Sequence, residues 1–219
     1  MTTWEDLNWW RCGEWDAIQE KLDALEANKI PYNPHRYNIF RAFEETPLDR
    51  VKVALLGQDP YPNPAHAMGL AFSVPKDTSR LLSPLPPTIR EILKEYVRDL
   101  GYPMPTHGDL SPWTEEGVLL WNVIPTCTAW KSKSHDWEEW KILTQEVVNV
   151  LQTRGTVFCA IGSCARSFVS DIPSDNCRVL EVGHPSPLNT RKPFEGSRIF
   201  STINHMLTEI GREPIDWML

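Results

Sequence analysis

The stretch Val53-Ala-Leu-Leu-Gly-Gln-Asp-Pro-Tyr61 decides the reading of this chain. An apolar run breaks off at Gly57, Gln58 and Asp59, and Pro60 and Pro62 bracket Tyr61. The pattern predicts a buried strand that delivers an amide, a carboxylate and an aromatic ring to one stiff loop. Proline fixes φ, so such a loop loses little further entropy when it is held in one shape. A carboxylate set at a strand end by a rigid turn is what general-base or electrostatic catalysis needs.

Outward from that stretch, Val51 to Leu56 is apolar apart from Lys52, as expected of a parallel strand buried on both faces. Val118 to Trp121, Thr156 to Ile161 and Arg178 to Val182 read as three further strands. Helical spacing links Trp15, Ile18, Leu22 and Leu25, with Pro31 and Pro34 beyond them as the stop. Ile39, Phe40 and Phe43 predict a short helix that ends before Pro47. After a loop rich in Pro and Ser, Ile89, Ile92, Leu93, Tyr96 and Leu100 mark a helix with Thr88 as its expected cap. Gly117 ends another short helix. Trp137, Trp140, Leu143, Val147 and Leu151 form a long amphipathic one, and Gly162-Ser163 lead into the next. Ile199, Ile203, Met206, Leu207 and Ile210 form the last.

Strands that alternate with helices predict an α/β fold, with a central four-stranded parallel sheet flanked by helices on both faces. At 219 residues, without a repeat or a linker, the expectation is a single domain over 1–219. The acidic start, Met-Thr-Thr-Trp-Glu-Asp, lacks the apolar run of a signal peptide, and no segment approaches a membrane span. A soluble, cytoplasmic protein is expected. The five cysteines are odd in number and form no C-x-x-C pair, which favours free thiols over a zinc site. No Gly-rich phosphate loop is present, so no cofactor is expected. Trp4, Trp9, Trp10 and Trp15 crowd the N-terminus and predict a helix packed on the core. The net charge of −7 argues weakly against a nucleic-acid partner, but net charge does not locate charges: Lys131, Lys133, Arg191, Lys192 and Arg198 sit in two segments.

The four predicted strands end in Gln58-Asp59, Asn122, Gly162-Ser163 and Gly183-His184. In an open parallel sheet, ligands bind outside the carboxyl ends of the strands. A lone Asn there is ordinarily a turn residue and a lone His is ordinarily structural. Four such residues on four different strand ends point instead to one crevice. Asp59 can orient a water or stabilise a cation, and His184 can donate to a developing anion. Asn122 sets a donor beside an acceptor, which suits the edge of a pyrimidine or an amide. Phe72, in Gly69-Leu-Ala-Phe-Ser-Val74, can stack on a flat ring. The set predicts a site for a planar heterocycle that uses no cofactor and no metal.

These residues resemble the family 1 uracil-DNA glycosylases. The resemblance runs from about residue 30 to Leu219 through Gly57-Gln-Asp-Pro-Tyr61, Gly69-Leu-Ala-Phe-Ser-Val74, Gly117-Val-Leu-Leu-Trp-Asn122, His184-Pro-Ser-Pro-Leu188 and Pro214-Ile-Asp-Trp217. It implies an enzyme that flips uracil out of DNA and hydrolyses its N-glycosidic bond, leaving an abasic site. Asp59 would position the attacking water and stabilise the cationic sugar. His184, as a neutral imidazole, would bind uracil O2. Asn122 would read the O4 and N3 edge, Phe72 would stack on the ring, Tyr61 would exclude the thymine methyl, and Gln58 would bind O2 through its backbone. Leu188 would wedge into the duplex. Pro86, Pro87, Thr88, Gly162, Ser163, Pro185 and Ser186 would contact the DNA backbone, with Lys131, Lys133, Arg191 and Arg198 near the same face. The implied partner is uracil-containing DNA, single- or double-stranded, bound by a monomer that an inhibitor protein mimicking DNA could also engage.

The chain departs from the family pattern at Pro62, where His is usual, and at Trp121, where Leu is common. Thr88 and Asn189 stand where Ser is usual, and the segment after Ser134-His135 is shorter. A binding module without activity, a glycosylase of altered base range and a small-molecule nucleosidase, in which Leu188 would have no role, are the competing readings. Asp59 and His184 argue against the first. Tyr61 and Asn122 argue against thymine and cytosine as substrates.

Overall fold

The computed structural model describes residues 3–79, 85–173, 177–185 and 194–219. In chain order its regular elements are α1 (Glu14–Ala27), β1 (Tyr32–Asn33), α2 (Arg41–Glu45), β2 (Val53–Gly57), α3 (Pro87–Leu100), α4 (Ser111–Glu115), β3 (Val118–Asn122), β4 (Cys127–Thr128), α5 (Glu138–Leu151), β5 (Val157–Ile161), α6 (Ser163–Arg166), β6 (Arg178–Val182) and α7 (Ile199–Glu209), with short 3-10 turns between them.

β2, β3, β5 and β6 form the four-stranded parallel sheet that the apolar runs predict, in the spatial order β3-β2-β5-β6. The two inner strands, β2 and β5, are buried at every residue, which is why their sequences do not alternate. β6 lies at an edge and is only half-buried over most of its length. The register aligns the carboxyl ends: Gly57 pairs with Asn122, Leu56 with Ala160, and Ile161 with Val182. The residues that follow β2, β5 and β6 therefore emerge side by side with Asn122, the last residue of β3. Helices pack around the sheet, with α2 and α4 against β3 and α7 against β5 and β6.

Three expectations need correction. Thr88 does not cap α3: Pro86 is the cap residue and Pro87 opens the helix. Proline is favoured at that position because its missing N–H would be unpaired there in any case. The N-terminal tryptophans do not all lie on one helix. Trp4, Trp9 and Trp10 fall in two 3-10 turns and only Trp15 is in α1. Ile39 and Phe40 precede α2 rather than lying within it.

One element went unpredicted. β1 and β4 form a two-residue antiparallel ribbon, pairing Tyr32 with Thr128 and Asn33 with Cys127. Its strands are too short to carry a period, so sequence patterning cannot reveal them. The ribbon brings the chain before α2 against the segment after β3, and both reach the loop that follows β2.

Candidate active site

A cavity of about 160 Å³ opens at the carboxyl ends of the strands, with Gln58, Asp59, Tyr61, Phe72, Asn122 and His184 among its walls. Gly57 makes its floor possible. A Cβ at that position would stand 2.7 Å from Asn122 Oδ1, closer than real contacts allow, and 3.0 Å from Phe72 Cζ, tighter than most, so one or both side chains would have to move. With glycine there, the Phe72 ring and the Asn122 amide close in over the end of β2.

Phe72 itself takes a left-handed backbone, with φ of 66°, which is uncommon for a bulky residue. The phenol of Tyr61 donates to the Phe72 carbonyl at 2.8 Å and so ties the loop after β2 to that turn. The segment is held to the sheet as well, since Ala71 N donates to Leu120 O at 3.0 Å. Burial raises the Tyr61 phenol above its ordinary range, so the ring stays neutral and presents an apolar wall.

Asp59 is the most tightly held polar group of the site. Ser132 Oγ and Lys133 N both donate to Oδ2 at 2.7 Å, and Gln58 Nε2 donates to Oδ1 at 2.8 Å. Donors on both oxygens fix the orientation of the carboxylate. The loop that carries it is fixed in turn: buried Asn33 donates through Nδ2 to Tyr61 O at 3.1 Å and to Pro62 O at 2.7 Å. Trp130 N donates to the same Pro62 carbonyl at 2.7 Å. Below the loop, the buried Cys127 thiol lies 3.6 Å from Pro60 O. Burial first, and the charge of Asp59 second, push that thiol up to about 12, so it stays protonated.

His184 stands at the mouth of the cavity, with much of its surface exposed. Desolvation of the ring and the nearby charge of Lys133 lower its pKa, opposed by Asp59. The imidazole is therefore held toward its neutral form, in which one nitrogen donates and the other accepts. Gly162 lies against the His184 side chain. Its φ of 88° suits glycine, and a Cβ there would meet the His184 side chain at 3.6 Å.

The structure thus brings together Gln58, Asp59, Tyr61, Phe72, Asn122 and His184, and adds Thr88 to the same walls. Pro86 and Pro87 adjoin Thr88 at the start of α3, Gly162 abuts His184, and Pro185, next in sequence, is buried. Ser163 lines a second cavity of about 180 Å³ instead, which shares Gln58 and Asp59 with the first. Ser186, Leu188, Arg191 and Lys192 lie outside the described residues. Arg198 is absent from the walls of both cavities; it sits at the start of α7, 3.9 Å from Asp99 on α3. Among the described residues, no cluster of side chains is arranged to hold a metal ion, and no helix is long and apolar enough to cross a membrane.

Sequence reasoning missed Ser132 and Asn33. Asn33 sits beside Pro34, the second of the two prolines whose only reading from sequence is a helix stop. Ser132 lies in Trp130-Lys-Ser-Lys-Ser-His135, a polar run after β3 that was read for its charges.

Residues 43–208 match the model of a family described as the uracil DNA glycosylase superfamily. The uracil-DNA glycosylase of Thermobifida fusca (strain YX) is 46% identical over 209 residues, which cover 93% of this chain and 89% of that protein. The uracil-DNA glycosylase of Mycobacterium sp. (strain KMS) is 43% identical over 202 residues, covering 91% and 87%. Among solved structures, mimivirus uracil-DNA glycosylase superposes with a TM-score of 0.83 at 24% identity, over 93% of this chain and 81% of that one, and so shares the fold. The mimivirus UNG variant Y322F, solved in complex with UGI, superposes with a TM-score of 0.82 at 25% identity, over 94% and 83%. The ordered strand ends, the cavity between them and these likenesses lead to one statement: the chain belongs to the uracil DNA glycosylase superfamily.

Proposed function

We propose that this chain excises uracil from DNA by hydrolysing the bond between uracil N1 and the sugar C1′, and that Asp59 and His184 are its catalytic residues. The observation that carries the proposal is the fixed Asp59 carboxylate beside a cavity walled by Phe72, Tyr61 and Asn122. The target carbon is inaccessible within stacked duplex DNA, so the nucleotide must leave the stack before reaction.

The uracil ring stacks on Phe72. Asn122 offers an acceptor to N3–H and a donor to O4; cytosine presents the reverse pair at those positions and is rejected. Tyr61 occupies the space beside C5, where the methyl group of thymine would fall. The Gln58 side chain is engaged with Asp59, which leaves its backbone to meet O2. As the glycosidic bond breaks, positive charge develops on the sugar and negative charge on the base. Asp59 stabilises the first and directs a water to C1′. Neutral His184 donates to uracil O2 and stabilises the second, as a preorganised donor does without reorganisation at the moment of reaction. Neither step uses a metal or a cofactor.

On the same reading, Pro86, Pro87, Thr88, Gly162, Ser163 and Pro185 meet the DNA backbone around the cavity, and Ser186 and Leu188 belong to that contact by sequence. Backbone amides and hydroxyls make this possible for a chain of net charge −7. The protein acts as a monomeric single domain, and an inhibitor protein shaped like DNA would compete for the same face.

The test uses single- and double-stranded oligonucleotides that carry one U, T or C, followed by alkali to cut abasic sites. Cutting of the U strand alone is expected. An intact U strand in both substrates would overturn the proposal, and binding without cutting would leave a recognition module in its place.

A further inference from the structure

Trp130 is 71% exposed, and among the described residues it stacks on no other aromatic ring and belongs to no part of the core. Its backbone is left-handed, with φ of 67°, a conformation that large side chains avoid. Such strain persists where surrounding structure enforces it, and it concentrates at functional sites. Here the enforcement is visible. Trp130 N donates to Pro62 O at 2.7 Å and Lys131 N to Thr128 O at 3.0 Å. Ser134 Oγ donates to Lys131 O at 2.7 Å and accepts from Thr128 N at 2.7 Å. The turn is laced to itself and to the loop after β2, so the indole is presented on a rigid mount.

Its neighbours define what would meet it. Pro62, bonded to Trp130, and Ser132, two residues on, both line the cavity. Lys131 and Lys133 flank the turn, both exposed, and neither makes an ion pair among the described residues. A rigid, exposed aromatic face in a turn with two cations, Lys131 and Lys133, one step from a site for a flipped nucleotide, fits an adjoining nucleotide: base on ring, phosphate on lysine.

We propose that Trp130 is a stacking platform for an unpaired base next to the excised uracil, so that this turn favours single-stranded DNA. In a duplex, neighbouring bases keep their own stacking partners and the indole face gains nothing. The inference rests on the uracil-excision reading of the adjoining cavity, but it assigns to Trp130 a role that reading does not contain.

The experiment compares wild type, Trp130→Ala and Trp130→Phe on one uracil oligonucleotide, single-stranded and as a duplex. Stacking of one base is worth enough that the alanine variant should lose about tenfold in kcat/KM on the single strand, through KM rather than kcat. The phenylalanine variant should retain most of the activity, and duplex excision should move by less than about twofold. Equal losses on both substrates, or no loss on either, would overturn the proposal. So would a wild-type dimer that Trp130→Ala converts to monomer in light scattering, since the ring would then serve self-association. Binding of a uracil-free single strand separates the two readings: if no variant excises uracil, a tenfold weaker binding by Trp130→Ala still supports the platform, and unchanged binding sinks it.

Discussion

Two regions of this molecule concentrate aromatic side chains and use them in opposite ways. At the N-terminus, Trp9 stacks on Trp140 at 5.5 Å and Trp4 on Phe43 at 4.4 Å, with the indole N–H of each spent on a carbonyl of the core. At the carboxyl ends of the strands, Tyr61 and Phe72 instead wall a cavity into which a carboxylate, an amide and an imidazole project. The two regions are joined, because Phe43 also stacks on Trp121 at 4.4 Å, and Trp121 precedes Asn122. Trp121 Nε1 donates to Thr144 Oγ1 at 3.0 Å, and that hydroxyl donates to Val123 O at 2.8 Å, so Asn122 is braced on both sides. Packing quality at one end thus becomes positional accuracy at the other. It also accounts for Trp121 where a leucine is common: the larger ring reaches Phe43 and Thr144.

The two regions separate most sharply at Asp59 and Trp9. Asp59→Asn keeps an oxygen that can accept from Ser132 and Lys133, so the fold should hold while turnover falls by a factor of about 10²–10⁴. Steady-state excision beside a urea melt tests this. Unchanged turnover would remove Asp59 from the chemistry, and a collapsed melt would make it structural. Trp9→Ala should do the reverse. It empties a fully buried indole site and removes the indole bond to the Glu139 carbonyl, destabilising the protein by about 3–5 kcal/mol, while the molecules that remain folded keep their turnover. A loss under about 1 kcal/mol in urea would show that the cluster is not core.

Both regions were legible in the sequence, to different depths. Apolar runs with polar ends revealed the sheet and the crevice, because a parallel strand buried on both faces leaves an unbroken pattern that stops where the chain leaves the core. Asp59, Asn122 and His184 were readable from position alone. Ser132 was not, since it reaches Asp59 across 73 residues of sequence through one hydroxyl, and no local pattern encodes such a bond. Asn33 was hidden for the same reason, 28 residues from the carbonyl of Tyr61. Thr88 was read as a cap from its residue type, and the better fit of proline to the first helical position displaced it. The tryptophan cluster was legible as core but not as 3-10 turns, because three residues carry too little periodicity to separate the two.

Tyr61 belongs to both descriptions, since its ring is a wall and its phenol is a brace. Two variants separate the roles. Tyr61→Ala removes the wall beside C5 and should bring thymine excision from background to a measurable rate. Tyr61→Phe keeps the ring but loses the 2.8 Å bond to Phe72 O, and should cost about 1 kcal/mol of stability while thymine stays excluded. Thymine release by the phenylalanine variant would show that the brace, rather than the wall, sets specificity.

The smallest expected effect concerns the turn that carries Ser132 and Lys133. His135 closes it, buried with its ring nitrogens 2.9 Å from Thr126 Oγ1 and 3.0 Å from Thr128 Oγ1, and stacked on Trp137 at 4.1 Å. Burial lowers its pKa from the ordinary 6.5 to about 4. Between those values the unfolded chain binds a proton that the folded chain does not, so stability rises with pH across that window and declines as pH falls through it. The burial that lowers His184 and His66 acts in the same direction, so their titration adds to the slope. His135→Asn removes only one contributor, and should flatten the dependence of the urea midpoint between pH 4 and 6.5 without abolishing it. The same variant slackens the turn that orients Asp59, so a modest drop in kcat at neutral pH should accompany the flatter profile. A flatter profile with kcat unchanged would mean that Ser132 and Lys133 hold their positions without His135, and that the turn takes its rigidity from the Pro62 carbonyl instead.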